Sequence, residues 1–432
     1  MSADLSPRYL EVWLRNLHVG WLCEAGRITR FVATESYVAD ARRPTLSMSL
    51  TVPGRDELTR EILQNPFDPA LYQERGELPA YFAGLLPEGD LRKRLAGTRK
   101  DARDTDDFGI LAAAGLDLPG AVKVIPADLD KLTATARAIG VTGGSDNLEI
   151  SVPEQAAEGA ASLSGMQDKL ALSTAHKGQR FNLPIKGKLS DVIAKLPTRQ
   201  DDAQIFNEYT AMQLARMAGV NIAPCSVRAI SDIAMPELVL ALGADKHFLA
   251  VDRFDRTPDG AVHVEDACQL QTLMPIKKYA DAKYFVALLK ILDRLSVRGI
   301  EDIRQFFIRQ TVNALLGNSD AHLKNFSIIY HNGILPELSP AYDIVCVSAL
   351  PGFAGFVTNV AIDARQQQQT LQTYKDIAAQ AGVSARIAVA AVRDTVELAR
   401  TLWPQALKDL PAPPAVDAEI RRRLQKLPLA QE

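Results

Sequence analysis

The segment Asn318–Ser327, NSDAHLKNFS, decides the fold class predicted for this chain. It follows the apolar helical stretch RQFFIRQTVNALL and leads into the strand-like run FSIIY. The loop between them contains Asp320 and Asn325, five positions apart. Kinase catalytic loops have this spacing, in which the Asp accepts the proton of the attacking hydroxyl and the Asn holds Mg²⁺. Asp and Asn are also common in turns, so the motif needs partners elsewhere in the chain.

A second acidic side chain near this loop would complete a magnesium site. Mg²⁺ takes hard oxygen ligands and uses only one or two protein carboxylates beside substrate phosphates. Asp343, in LSPAYDIV, lies eighteen residues after Asn325. It stands where a kinase activation segment has its metal-binding Asp, although Ile344 and Val345 replace the usual Phe-Gly.

A lysine within an apolar strand supplies a third part of the site. Lys195 lies in DVIAKL, and burying an ammonium group is expensive unless an anion meets it. Glu208, on the next predicted helix, is placed to pair with Lys195 as the strand Lys and helix Glu of a kinase do. The alternative is an edge lysine whose ammonium reaches water.

The order of predicted elements divides the chain into three parts. Residues 1–130 are predicted to form a β-rich subdomain, residues 131–255 an α+β lobe and residues 256–432 a helical lobe. In the first part we predict strands Tyr9–Leu14, Gly20–Leu22 and Leu46–Val52, a helix within Ala83–Leu95 that begins near Pro87, and a helix, turn and strand within Phe108–Pro126.

The second and third parts differ in their hydrophobic periodicity. After a small polar connection, Pro153–Ala161, and a turn at Ser164 and Gly165, the second part shows strands Lys169–Ser173, Asp191–Leu196 and Leu249–Phe254 and a helix Phe206–Ala218. From about Asp266 onward the helical period dominates. The helices predicted there are Ala282–Leu295, Ile300–Leu316, Tyr374–Ala381 and Ser384–Leu402.

Composition and charge exclude several classes of protein. With 47% hydrophobic and 23% charged residues, the chain is expected to be soluble and globular. A net charge of −3 provides no basic field for a polyanion, and the basic cluster of Arg421–Arg423 and Lys426 is predicted to be a solvated helix face. The uncharged stretch Ile344–Ile362 contains Pro351 and two glycines, so we expect buried strand and loop and no membrane contact.

The cysteines and the first residues bear on the compartment. The four cysteines show no CxxC pair and no metal-ligand spacing, which fits a reducing environment. The first residues, MSADLSPRYLEVWLRN, carry charges where a signal peptide needs an apolar run. We therefore expect a cytoplasmic protein.

Several blocks resemble, in order and spacing, the HipA family of bacterial serine/threonine kinase toxins. They are EVWLRNLHVGWL, ARRPTLSMSL and FGILAAAGLDLPGAVKVIP in the first part, and ASLSGMQDKLAL, IAKLPT, NEYTAMQLARMAGV, VDRFDR, NSDAHLKNFS and SPAYDIV in the rest. Nearly the whole chain is covered. The resemblance implies an α+β, two-lobed protein-kinase-like fold with an appended N-terminal β-rich subdomain and an all-helical C-terminal lobe.

The resemblance also implies a role for each matching residue. Asp320 would be the general base, Asn325 and Asp343 would hold Mg²⁺, and Ser162 would be a site of regulatory autophosphorylation. The residues expected to bind ATP are those of the phosphate-covering loop, the strand lysine, the hinge and the catalytic and metal loops: Ser164, Gly165, Met166, Gln167, Asp168, Lys169, Lys195, Asp252, Arg253, Phe254, His322, Leu323, Lys324, Asn325, Tyr342 and Asp343.

Two departures from the family pattern affect these expectations. Only Gly165 remains in the phosphate-covering loop, so the GxGxxG motif is absent, and Gln167 and Lys169 could supply side-chain donors instead. The segment DARQQQQT, Asp363–Thr370, carries a single Arg where the family places basic residues that contact DNA. We therefore expect this chain to meet operator DNA only through a partner.

The implied activity is transfer of the γ-phosphate of ATP to a Ser or Thr of a protein, with an aminoacyl-tRNA synthetase as the substrate class. Growth arrest and persistence would follow, and a helix-turn-helix antitoxin, HipB-like, would neutralise the kinase. Two alternatives stay open. One is a small-molecule phosphotransferase that uses the same residues, and the other is a catalytically silent corepressor subunit.

Overall fold

The computed structural model describes most of the chain. The described residues are 7–97, 105–134, 136–137, 168–175, 178–185, 188–279, 281–350 and 368–432. The predicted polar connection Pro153–Ala161 and the turn at Ser164 and Gly165 lie outside them. So does most of the uncharged stretch that begins at Ile344; its described part is irregular, with one short 3₁₀ turn, Val347–Ala349.

An antiparallel sheet of five strands forms the N-terminal part, in the order β4-β3-β2-β1-β5. Its strands are β1 (Arg8–Leu14), β2 (Leu17–Ala25), β3 (Ile28–Ala33), β4 (Tyr72–Gln73) and β5 (Val122–Pro126). The predicted β-rich character of this part is confirmed. Its helices are α1 (Glu35–Ala39), α2 (Asp56–Gln64), α3 (Ala80–Gly84), α4 (Gly89–Gly97) and α5 (Asp107–Ala114).

One local prediction in this part is confirmed and another was wrong. The helix expected to begin near Pro87 is α4, which begins at Gly89, whereas α3 ends before Pro87. The strand expected at Leu46–Val52 is instead a loop with a 3₁₀ turn, Met48–Leu50. Leu46, Met48 and Leu50 are all buried, as their alternation suggests, but the buried backbone pairs with a distant side chain.

That distant side chain is Glu265, which is buried. Its carboxylate accepts hydrogen bonds from the Ser47 hydroxyl at 2.6 Å and the Met48 backbone N–H at 2.8 Å. The Tyr330 hydroxyl also donates to it. A single carboxylate thus joins the N-terminal part to two strands of the C-terminal lobe.

A second antiparallel sheet follows, in the order β7-β6-β8-β10-β9. Its strands are β6 (Lys169–Ala175), β7 (Arg180–Asn182), β8 (Val192–Lys195), β9 (Cys225–Ala229) and β10 (His247–Asp252). Helix α6 (Ala203–Met217) packs against β9 and β10, and α7 (Pro236–Leu242) is short. The three strands and the helix predicted in this lobe are confirmed within a few residues.

The C-terminal lobe is built around one buried helix. Helix α9 (Ile300–Leu316) contacts α8 (Lys283–Leu295), α11 (Ala385–Asp409) and α12 (Pro414–Lys426), and α10 (Leu371–Ala381) packs on α8 and α11. The helices predicted in this lobe are confirmed. A glycine in the left-handed region, Gly317 at φ 72°, ends α9 and turns the chain into the catalytic loop.

The C-terminal lobe was predicted to be all-helical, and this was wrong because the lobe also contains strands. Strands β13 (His263–Asp266), β14 (Ser327–Tyr330) and β15 (Glu337–Leu338) form a small antiparallel sheet, preceded by a two-stranded hairpin of β11 (Arg256–Thr257) and β12 (Gly260–Ala261). This sheet supports the catalytic loop, because β14 begins directly after it. The fold class remains α+β.

One arginine of the terminal basic cluster is not on a solvated face. Arg423 is buried, and its guanidinium donates two hydrogen bonds to the carbonyl of Ala314 at 2.6 and 3.1 Å. Arg421 and Arg422 pair instead with Asp417 and Glu419 on their own helix. Arg423 therefore stabilises the end of α9, where carbonyl groups lack helical partners.

The three parts of the chain contact one another. The boundaries between them, proposed at residues 130 and 255, stay predictions. Within the described ranges, no helix is both long enough and apolar enough to span a bilayer.

The Glu265 contact predicts a pH dependence of stability. Burial raises the pKa of Glu265 from 4.5 to about 7, although hydrogen bonds from Ser47, Tyr330 and Met48 oppose part of that rise. The folded state therefore favours the protonated carboxyl. Its contribution to the free energy of unfolding is complete below pH 4.5 and is lost as pH rises through 7. Replacing Glu265 by Gln should remove it.

The free energy of unfolding of the wild type, relative to that of Glu265→Gln, should fall between pH 5 and pH 8 by roughly 3 kcal/mol at most. Urea denaturation at both pH values measures it. Glu397→Gln, at an exposed position of α11, serves as the control. Parallel pH profiles for the wild type and Glu265→Gln would contradict the assignment.

Candidate active site

A cavity opens between the second sheet, the catalytic loop and the N-terminal part. Its lining combines strand, hinge and loop residues with α3 of the N-terminal part: Gly84, Pro119, Lys169, Ile193, Lys195, Glu208, Ala223, Val251, Asp252, Arg253, Phe254, Asp255, Val264, Glu265, Asp266, Gln269, His322, Lys324, Asn325, Ser327, Tyr342 and Asp343. Ten of the predicted ATP-binding positions are among them: Lys169, Lys195, Asp252, Arg253, Phe254, His322, Lys324, Asn325, Tyr342 and Asp343.

The ammonium of Lys195 lies between two carboxylates. Its Nζ is 2.5 Å from Glu208 Oε1 and 2.5 Å from Asp343 Oδ1. The predicted pairing with Glu208 is present, and the edge-lysine alternative is wrong because Lys195 is buried. Burial alone would lower the pKa of Lys195, but Asp343 and Glu208 together hold it above its ordinary value.

A second lysine shares this charge cluster. Lys169 on β6 lies directly opposite Lys195 on β8 in the antiparallel register. Burial, and then the positive charge of Lys195, lower the pKa of Lys169, whereas Asp343 acts in the opposite direction. Two ammonium groups on facing positions of a sheet repel each other. The carboxylates of Glu208 and Asp343, which lie beside Lys195, offset this repulsion.

Asp343 has an unusual backbone conformation. Its φ is 60°, a left-handed value that costs a residue other than glycine free energy of order 1–3 kcal/mol. The neighbouring chain is held in place because Ala223 N–H donates to the carbonyl of Ala341 at 2.8 Å. Although burial would raise the pKa of Asp343, Lys195 and then Lys169 keep it well below its ordinary range. The carboxylate is therefore ionised, and its side chain is 29% exposed.

The catalytic loop places Asp320 and Asn325 side by side. The amide of Asn325 donates to the backbone carbonyl of Asp320 at 3.1 Å, and the Tyr279 hydroxyl donates to Asp320 Oδ1 at 2.6 Å. Asp320 is exposed and does not line the cavity itself, whereas Asn325 does. Burial lowers the pKa of the neighbouring His322.

An aromatic pair closes the cavity at the hinge. The rings of Phe254 and Tyr342 stack with centroids 5.7 Å apart. The Tyr342 hydroxyl contacts Ser327 Oγ at 2.6 Å and the Lys324 carbonyl at 2.7 Å. These contacts join the segment that contains Tyr342 and Asp343 to the catalytic loop. The two rings offer a flat apolar surface of the kind that a purine base can contact.

Arg253 and Lys324 line the cavity, but protein acceptors already occupy their charged groups. The guanidinium of Arg253 bonds Asp117 at 2.9 Å and Asp255 at 2.9 Å, and so links the hinge to the N-terminal part. The ammonium of Lys324 donates to the Gly84 carbonyl at 3.1 Å and lies 3.3 Å from Asp266 Oδ2. Both side chains hold the walls of the cavity together.

The remaining predicted residues lie elsewhere. Leu323 belongs to the hydrophobic core, and Asp168 is outside the cavity lining, with its carbonyl accepting a hydrogen bond from Leu196 N–H at 2.8 Å. Ser162, Ser164, Gly165, Met166 and Gln167 fall outside the described residues.

Glu88, Glu265, Asp266 and Tyr279 are among the residues of the site that were not predicted from the sequence. Glu88 lies 3.0 Å from Lys278 and 3.6 Å from Lys324, Asp266 pairs with Lys324, and Glu265 and Tyr279 contact the strands and the catalytic loop. The short run LPEGD, in which Glu88 follows Pro87, was the single local signal among them. That run was predicted to lie at the start of a helix.

The donor set near Asp343 fits a magnesium ion. Asn325 and Asp343 line the same cavity and supply one amide and one carboxylate, both hard oxygen donors. Among the residues that the structure describes, no group of three or more His, Cys, Asp and Glu side chains is arranged to hold a metal. That is compatible with Mg²⁺, which is usually bound by few protein ligands together with substrate phosphates.

The fold and the site define a kinase-like protein of the α+β class. Family models of two kinds match the chain: the HipA N-terminal domain over residues 10–125 and the HipA-like C-terminal domain over residues 161–403. The second alone spans more than half of the chain, so the chain belongs to the HipA family.

Related proteins agree with this assignment. The candidate kinase Y4dM of Sinorhizobium fredii is 34% identical over 393 residues, 89% of this chain and 88% of its own length. The serine/threonine-protein kinase toxin HipA of Shewanella oneidensis is 26% identical over 329 residues, 69% of this chain and 70% of that protein.

A solved structure shares the fold. A chain of the Shewanella oneidensis complex of HipA, HipB and operator DNA superimposes with a TM-score of 0.65 and 20% identity, over 98% of this chain and 96% of that chain. The kinase-like fold with its appended N-terminal part is therefore confirmed.

Proposed function

We propose that this chain is an ATP-dependent serine/threonine protein kinase that acts as a HipA-type toxin. The observation that carries the proposal is the position of Lys195 between Glu208 and Asp343, beside a loop that holds Asp320 and Asn325 five residues apart. Phosphoryl transfer depends on positioning and on charge stabilisation, and these residues supply both.

In this mechanism the hydroxyl oxygen of the acceptor attacks the γ-phosphorus of ATP while the bond from phosphorus to the bridging oxygen breaks. ADP leaves with that oxygen, and Asp320 accepts the hydroxyl proton. Lys195 and Lys169 face the phosphates, and the stacked pair Phe254 and Tyr342 receives the base. Asn325 and Asp343 would hold Mg²⁺, which neutralises charge on the phosphates.

The partners are proposed from the comparisons. The structural relative assembles with HipB and operator DNA, so we propose a HipB-like helix-turn-helix antitoxin that connects this chain to DNA indirectly. An aminoacyl-tRNA synthetase is the proposed substrate class, on the family resemblance alone. Co-purification from cells, followed by phosphosite mapping with an inactive variant as control, tests both and separates a protein kinase from a small-molecule phosphotransferase.

Replacing Asp320 by Ala should abolish phosphoryl transfer and leave folding and ATP binding intact. Loss of a general base lowers rates by ~10²–10⁴-fold, and Asp320 is exposed, so its removal leaves no buried cavity. Single-turnover transfer from Mg-ATP and calorimetric ATP binding measure the two effects. Asp293→Ala, an exposed carboxylate of α8, should behave as wild type. Turnover of Asp320→Ala within threefold of wild type would exclude this role.

Asn325→Ala and Asp343→Ala should weaken Mg-ATP by about tenfold or more, and much more than they weaken metal-free ATP. Each variant removes a proposed oxygen donor to the ion. Asp343→Ala also removes one of the two carboxylates beside Lys195, which does not disfavour a phosphate there. Calorimetry with MgCl₂ and with EDTA compares the two conditions. Equal ATP affinities with and without Mg²⁺ in all three proteins would argue against the metal site.

Ser162 is proposed as an autophosphorylation site that lowers ATP affinity. A phosphate adds about −1.5 to −2 charges next to the segment expected to cover the phosphates of ATP. Incubation with Mg-ATP, phosphosite mapping and ATP titration before and after modification test this, with Ser162→Ala as the control. The switch is ruled out when Ser162 stays unmodified while a protein acceptor is turned over, or when the modified protein binds ATP unchanged.

A further inference from the structure

Tyr279, which was not among the predicted site residues, contacts the proposed general base, Asp320. The Tyr279 hydroxyl donates to Asp320 Oδ1 at 2.6 Å, within the range of a strong hydrogen bond to a carboxylate. Tyr279 is 52% exposed, so core packing alone does not explain its position. Burial and the hydrogen bond to Asp320 raise the pKa of Tyr279, which keeps its hydroxyl protonated and able to donate.

Three contacts, two of Lys278 and one of the Tyr279 ring, hold this segment beside the catalytic loop. The Lys278 carbonyl accepts a hydrogen bond from Leu323 N–H at 3.1 Å, which fixes this segment to the catalytic loop. The Lys278 ammonium pairs with Glu88 at 3.0 Å. The Tyr279 ring meets His322 edge to face at 5.2 Å between centroids. These contacts keep the ring, and with it the hydroxyl, beside Asp320.

Asp320 needs such an orienting contact. It lies in an exposed loop, and its carboxylate could otherwise rotate freely about its side-chain bonds. The amide of Asn325 fixes the backbone of Asp320, and Tyr279 reaches Oδ1. The second carboxylate oxygen is then left to accept a proton from an acceptor hydroxyl, which requires an approach of about 2.6–3.2 Å.

We propose that Tyr279 is a positioning residue for Asp320: its hydroxyl holds Oδ1 so that Oδ2 faces the acceptor. The proposal rests on the kinase function proposed above. The opposite role is a block, in which the Tyr279 hydroxyl occupies the place of an acceptor hydroxyl on the catalytic base. The three restraints favour positioning, because a blocking group must leave before each turnover.

Tyr279→Phe removes only the hydroxyl and provides the test. We expect kcat for Mg-ATP consumption, with dephosphorylated casein or water as acceptor, to fall roughly tenfold, while KM for ATP stays within twofold. Tyr284→Phe, which removes a phenol hydroxyl from the neighbouring helix α8, should match wild type. In an Asp320→Ala background, Tyr279→Phe should not lower the residual single-turnover rate further, because groups that act as a unit are not additive.

Each contrary outcome has its own meaning. An unchanged kcat in Tyr279→Phe overturns the proposal, and a raised kcat, or a phosphate found on Tyr279, shows a blocking or acceptor role instead. A further loss in the Asp320→Ala background would show that Tyr279 acts independently of Asp320. Wild-type protein that consumes no Mg-ATP fails the kinase proposal itself, a result separate from any effect of Tyr279.

Discussion

The buried ammonium of Lys195 is the constraint on which the rest of the site depends. It lies on β8, and its two carboxylate partners come from α6 and from the loop after β15. A buried cation without a partner is very unfavourable, so the sheet, the helix and the loop must come together for any one of them to be stable there. The left-handed conformation of Asp343 persists because this arrangement, and the chain beside it, hold it in place.

The N-terminal part contributes directly to the same site. The Gly84 carbonyl and Glu88 contact lysines of the catalytic lobe, Asp117 pairs with the hinge arginine Arg253, and Glu265 holds the loop around Ser47. Two of these contacts are ion pairs, and all of them except the Glu88–Lys278 pair are buried. They imply that a substitution in the N-terminal part can alter the catalytic loop without touching the cavity, because both lobes share the same charged groups.

Charge is arranged unevenly across the cavity. Lys169 and Lys195 lie on the sheet side, and Asp343 and Asn325 lie on the loop side. An anionic cosubstrate would be drawn to the lysines, and a cation to the oxygen donors. Lys195 and Asp343 meet at 2.5 Å, and this contact raises the pKa of Lys195 and lowers the pKa of Asp343.

The sequence by itself determined the parts of the site whose signals are local. The spacing from Asp320 to Asn325, the apolar helix before them and the buried lysine in DVIAKL are each readable within a few residues, and the helices and most strands followed from their hydrophobic period. Only the tertiary structure decided contacts between positions far apart. Tyr279 and Asp320 are 41 residues apart, Ser47 and Glu265 are 218 apart, and Gly84 and Lys324 are 240 apart. The alternation at Leu46–Val52 suggested a strand because hydrophobic periodicity indicates which residues are buried. It does not indicate the partner of a buried backbone N–H, which depends on how the whole chain folds.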